Sequence, residues 1–157
     1  MQQCADLLEE FGSRLVLPED VVGLGPGGKI GDPSAGGEVR NFGRSLPDGW
    51  MGLDVGPGTA AAFGELICGG RSIRWNGPMG GFEHPRVEAG TRAVGQSVAE
   101  SRGFSVIGGG DSAAAVAQFG LASEVDHIST GGGASLELIE RGDLPGLAAL
   151  RGAPNAG

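Results

Sequence analysis

Apolar residues along this chain fall in short runs broken by glycine, and two periods alternate among them. Residues 3–11 space Leu7, Leu8 and Phe11 on one helical stripe, and Gly12 stands where a left-handed glycine would end that helix. Residues 15–17 and 21–24 are β-prone runs split by Pro18, which cannot occupy a central ladder. Residues 25–43, dense in glycine and carrying Pro26 and Pro33, show no hydrophobic period, so they are predicted to form an irregular loop. Turn chemistry at Pro47, Asp48 and Gly49 then leads to a strand over 50–55, at the edge of a sheet or leading into one.

From residue 50 onward, strand and helix patterns alternate. A helix over 59–68 has Ala62, Phe63, Leu66 and Ile67 on its apolar side and stops at Gly69 and Gly70, and a strand over 71–75 follows. The run NGPMGGF at 76–82 reads as a rigid loop, and 84–102 carries Val87, Val94 and Val98 at helical spacing before Gly103 caps it. Residues 104–107 form a buried strand, three glycines follow at 108–110, and Asp111 and Ser112 open an Ala-rich helix that runs to 119. The design recurs once, as a strand over 125–128, glycines at 131–133 and a helix over 134–141. Connections this short require right-handed crossovers and predict an α/β fold with a mainly parallel sheet, whose ligands lie at the carboxyl ends of the strands. The glycine loops at 76–81, 108–110 and 131–133 all occupy that edge.

A length of 157 residues supports one domain with a real core. Glycine, at 33 residues, has no collagen period and gathers at the ends of apolar runs, so the excess serves turns. Tyrosine is absent, which leaves the core to Val, Ile, Leu and Ala and suits a parallel sheet covered by helices. A net charge of −8, with Lys29 as the single lysine, argues against a nucleic-acid partner. Cys4 and Cys68 lack CxxC spacing and read as thiols in a reducing cytosol. No basic segment leading into an apolar run opens the chain and no apolar stretch approaches a membrane span, so a soluble cytoplasmic protein with no membrane partner is expected.

The chemistry gathers at FSVIGGGDSAAAV, residues 104–116. Strand, tight turn and helix N-terminus in succession present exposed N–H groups and the positive end of a helix dipole, an arrangement that favours phosphate. Several residues have plain structural readings. Asp111 suits a helix N-cap, worth about 1 kcal/mol whatever the function, as well as it suits a ligand. Glu83 alone is an acid in a helix first turn beside His84 and Pro85. His127, inside a strand, reads as a hydrogen-bonded core residue and His84 as a surface one; Cys68 and Trp75 read as packing.

Four longer blocks carry a resemblance: GWMGLDVGPGT (49–59), WNGPMGGFE (75–83), FSVIGGGDSAAAV (104–116) and VDHISTGGGASLELIE (125–140), followed by LPGLAAL (144–150). In order and spacing they resemble the C-terminal, nucleotide-binding half of phosphoglycerate kinase. The resemblance implies a three-layer Rossmann-like α/β domain with helices on both faces, ADP or ATP with Mg2+, and reversible phosphoryl transfer between 1,3-bisphosphoglycerate and Mg-ADP, giving 3-phosphoglycerate and ATP in glycolysis. It assigns the nucleotide ribose to Glu83, with Asn76 in the same nucleotide-binding set. The nucleotide phosphates fall to Gly109, Gly110, Asp111 and Ser112, with Asp111 helping to hold the magnesium. Gly131, Gly132 and Gly133 map to the loop that offers main-chain donors to the phosphoryl group in flight, so Gly110 and Gly133 are the expected catalytic glycines. The family's Arg- and His-rich N-terminal substrate domain has no counterpart in these residues, and neither has its GGAK-type lysine motif. Lys29 in GPGGKIGDP does not match that motif, and a loop lysine without a following helix reads as solvated. The expectation is a chain that binds nucleotide without turnover and meets the bisphosphoglycerate only through the missing domain, the complete enzyme being a monomer. A non-catalytic nucleotide-binding or interaction module of the same fold is the alternative. A third reading is a chain that cannot close its sheet.

Overall fold

The computed structural model describes residues 2–32, 34–83, 85–129 and 131–152. Two three-stranded sheets organise it. The first contains β1 (Val21–Leu24), β2 (Val39–Phe42) and β3 (Met51–Val55), all antiparallel, in the order β2-β1-β3. The second contains β4 (Ser72–Asn76), β5 (Phe104–Gly108) and β6 (His127–Ser129), all parallel and in chain order. Helix α1 (Gln2–Phe11) and a short 3-10 turn (Gly12–Arg14) lead in, α2 (Pro57–Cys68) joins the sheets, and α3 (Ala89–Glu100) and α4 (Gly110–Gln118) connect the parallel strands. Helices α5 (Gly132–Arg141) and α6 (Pro145–Leu150) complete the described chain.

The core follows from the pleat of the parallel sheet. Trp75 pairs with Ile107 and Ile107 with Ile128, so one face carries an apolar row. Against it pack Val94 and Val98 of α3, Val116 of α4 and the following Leu121. Ile107 is 0% and Val98 1% exposed, and burying each such side chain stabilises the fold by roughly 1.5–3 kcal/mol. The expected parallel sheet with its glycine loops at the carboxyl edge is therefore present, formed by the last three strands.

The antiparallel sheet departs from the reading of 25–43 as wholly irregular. Residues 39–42 form β2, in which Val39 and Phe42 are half-buried and Arg40 and Asn41 exposed. The pattern is too short to stand out from its glycine-rich surroundings, and pairing with β1 decides it. Phe42 meets Trp50 edge-on at 4.7 Å between ring centroids, closing that sheet's apolar side. The strand expected over 50–55 is β3, and its partner is β1. Residues 15–17 form no strand.

Other differences have local causes. The helix expected from 84 starts at Ala89, leaving Val87 buried in the preceding turn; His84 lies outside the described residues. Cys68 and His127 are exposed, where buried positions were expected, because α2 ends at the surface and β6 is an edge strand. Leu66 of α2 is 57% exposed, and Leu7, Leu8 and Phe11 of α1 are exposed as a group.

Two carboxylates join distant segments at helix starts. Asp20 accepts hydrogen bonds from the Gly58 and Thr59 amides at 2.9 and 2.7 Å and from the Thr59 hydroxyl at 2.5 Å, near the start of a helix that has no side-chain cap of its own. Desolvation opposes ionisation of Asp20, but the bonds from Thr59, Gly58 and Asn41 prevail and hold its carboxyl down to about 2. Asp54, 4% exposed at the end of β3, accepts from Gly90 N at 2.6 Å and Val55 N at 2.9 Å. There burial dominates the hydrogen bonds and pushes the carboxyl up.

Candidate functional site

At the carboxyl edge of the parallel sheet each strand runs out into glycine, and these turns touch. Gly109 has φ 92°, a backbone conformation that glycine adopts without strain, and from it the chain enters α4. The Gly109 amide donates to Ser129 O at 3.0 Å, which ties the end of β5 to the end of β6. Gly132, first residue of α5, is buried against this turn: a Cβ placed on it would lie 2.7 Å from Gly109 Cα and 2.8 Å from Asn76 Oδ1. The same Asn76 oxygen would lie 2.9 Å from a Cβ on Gly108. Asn76 is thus wedged between the two glycine turns, and their spacing depends on the absence of a methyl group at 132.

The remaining sequence-predicted residues divide into exposed and supporting ones. Gly110, Asp111, Gly131 and Gly133 are exposed, and Gly110 and Gly133 have open space where a Cβ would stand. Asp111 lies in the first turn of α4, where the helix dipole favours negative charge, its own ionised carboxylate included. Ser112, expected on the nucleotide phosphates, is instead 0% exposed, and its hydroxyl accepts the Gly77 amide at 2.6 Å. Its position on the inner side of α4 turns it toward the NGP loop. Among the described residues no group of three or more His, Cys, Asp or Glu could hold a metal ion. A lone exposed carboxylate beside a phosphate-favouring turn fits magnesium, which keeps several waters and takes one or two carboxylates plus phosphate oxygens.

The loop that begins at Asn76 and Gly77 ends at a cavity. Trp75 Nε1 donates to Gly77 O at 2.6 Å, Gly80 N donates to Thr91 Oγ1 at 3.0 Å, and Gln118 Nε2 of α4 donates to Phe82 O at 2.8 Å, so the loop is held along its length. Beyond it lies a cavity of about 410 Å3 with Leu24, Val39, Leu53 and Val87 in its walls and Lys29 and Glu83 among its charged lining groups. Glu83 is therefore separated from the glycine turns but connected to them by one braced loop. The hydrophobic pattern does not predict this cavity, because six of its lining residues, at 29–31, 35, 36 and 39, lie in the stretch 25–43, which shows no hydrophobic period.

Comparison with known proteins bears on the same residues. The family model described as phosphoglycerate kinase matches residues 1–142. The chain belongs to the phosphoglycerate kinase family. A phosphoglycerate kinase of Parafrankia sp. is 52% identical over 150 residues, covering 94% of this chain and 36% of that protein. One from Thermus thermophilus is 51% identical over 146 residues, covering 92% of this chain and 36% of the relative. Solved phosphoglycerate kinase structures align as well. That from Coxiella burnetii has a TM-score of 0.79 at 38% identity, covering 95% of this chain and 37% of the other, and that from Pyrococcus horikoshii 0.78 at 32%, covering 96% and 36%. The chain thus spans little more than a third of the family members it matches, and 25–43, though rich in glycine, falls within the family match.

Proposed function

We propose that this chain is the nucleotide-binding part of a phosphoglycerate kinase, in which the complete enzyme transfers a phosphoryl group between 1,3-bisphosphoglycerate and Mg-ADP, yielding 3-phosphoglycerate and ATP. The observation that carries this reading is the contact of the turns at 109–111 and 131–133 around Asn76. Phosphoryl transfer asks little covalent chemistry of the protein; it needs in-line placement and donors aimed at the equatorial oxygens. Two adjoining helix N-termini supply such donors, from the exposed main chain of Gly110 and Gly133. Asp111 would hold the magnesium, which neutralises charge on the phosphates when bound. Glu83, at the cavity, would bond the ribose, and the apolar walls of Leu24, Val39 and Leu53 would take the base.

The acyl-phosphate partner needs cationic ligands, which the family resemblance places on a separate N-terminal domain, so the chain alone is proposed to bind nucleotide with negligible turnover, one domain of a monomeric cytoplasmic enzyme. Nucleic acid is no part of this reading, given the net charge of −8. Among the described residues no helix is long and apolar enough to cross a membrane.

Calorimetric titration with Mg-ADP tests the reading. Binding should be metal-dependent, and Asp111→Asn should weaken it about tenfold, in keeping with loss of one charged ligand. Binding that ignores both magnesium and this substitution would favour a non-catalytic interaction module. Turnover by the chain alone would contradict the claim of an incomplete site.

A further inference from the structure

Helix α5 carries half of the glycine site but has little to hold it. Only Gly132 of the helix is buried, and Leu136 and Ile139 are 47% and 67% exposed. Apart from the adjoining Ser129, one side chain among the described residues outside 131–152 hydrogen-bonds to that segment: Arg74. Arg74 stands on β4, paired with Val106 of β5, which pairs in turn with His127 of β6. It lies on the face opposite Trp75 and reaches across two strands. Its Nη2 donates to Ser135 Oγ at 2.5 Å and to Gly132 O at 3.4 Å. Ser135 Oγ in turn lies 3.1 Å from the carbonyl oxygens of Gly131 and Gly132. The same Nη2 would lie 2.9 Å from a Cβ on Gly108, so the guanidinium sits beneath both glycine turns. None of the ion pairs among the described residues involves Arg74.

We propose that Arg74 is a positioning residue for the phosphate-facing edge: it straps the first turn of α5 to β4 and thereby sets the 131–133 loop against the 109–111 turn. The role at the ligand rests on the nucleotide reading above; the strap itself does not. A guanidinium without a carboxylate partner holds its acceptors by directional donors rather than by charge pairing, which suits a strap between backbone and hydroxyl oxygens. Its positive charge also lies on the side from which an anion at the turns would be attracted.

The test uses the 157-residue chain, with Arg74→Met, which keeps the apolar stem, Ser135→Ala, and the double variant. Amide exchange of 134–138 should quicken about tenfold in Arg74→Met, while 104–108 in the sheet interior stays unchanged and certifies the fold. The two single substitutions should be non-additive, since each removes the same bond. The Kd for Mg-ADP should rise about tenfold in Arg74→Met. Unchanged exchange at 134–138, or additive effects, would overturn the strap. Quickened exchange with unchanged Mg-ADP affinity would overturn the positioning role. If the unsubstituted chain binds no Mg-ADP, the nucleotide reading and the ligand role fall together, while exchange still decides the strap.

Discussion

The parallel sheet leaves its strand ends open in glycine turns, whereas the antiparallel sheet encloses space with its strand faces. The parallel strands each run out into glycine, so their main chain is open to a ligand at one edge. The antiparallel strands contribute Leu24, Val39 and Leu53 to the walls of a cavity and offer it side chains rather than amides. The proposed nucleotide would have one end for each: phosphates that want N–H donors and a base that wants an apolar slot. The difference teaches that backbone and side-chain recognition can be split between two sheets, with the 76–83 loop as the connection.

That division can be broken at either side. The largest effect should come from Gly132→Ala, whose new methyl meets Gly109 Cα at 2.7 Å: about 3 kcal/mol lost, against a gain of up to about 1 kcal/mol for Gly133→Ala, where the space is open. Denaturant unfolding of both variants checks it, and equal responses would mean that the turns are not in close contact. Next is Asp20→Ala, which strips the start of α2 of its acceptor and should cost about 2 kcal/mol in the same measurement, loosening the antiparallel sheet and α2 first.

The smallest effect is on the pH profile. The Asp20 carboxyl, held at about 2, contributes stability that is fully present above its ordinary value of 3.8 and is lost as pH falls toward 2. Asp54, pushed up from 3.8, acts in the opposite sense: its ionisation weakens the fold as pH rises through its raised value. Unfolding midpoints of Asp54→Asn should therefore show less decline than those of the unsubstituted chain as pH rises from about 4 to 7. An identical profile would show that Asp54 ionises without penalty.

The parallel half was legible in the sequence because glycines stand at or soon after the end of each of its strands, at 77, 108–110 and 131–133, and helical spacing resumes in the segments that follow. The strand and helix at 104–119 are found within a residue or so of their expected bounds. The antiparallel half was less so. Val39-Arg40-Asn41-Phe42 has two half-buried positions and no neighbour in sequence that would reveal its pairing to β1. Strand-turn-helix spacing located the glycine turns at 108–110 and 131–133, while the resemblance singled out Gly110, Asp111 and Gly133 within them, all of which are exposed. The inward turn of Ser112 and the reach of Arg74 could not, since both depend on which elements meet in space. Ser112 has the same local context whether its hydroxyl faces a phosphate or the Gly77 amide.

Each half also contains one of the chain's two tryptophans, and there is no tyrosine. Trp50 sits against Phe42 and beneath Arg40 in the antiparallel half, while Trp75 is 5% exposed next to Asn76 in the parallel half. Indole emission depends on its surroundings, and here it arises from two sites alone, one beside each sheet. With Trp50→Phe the remaining signal belongs to the glycine edge; with Trp75→Phe it belongs to the sheet that walls the cavity. The molecule thus has an optical label in each of its halves, placed there by its own sequence.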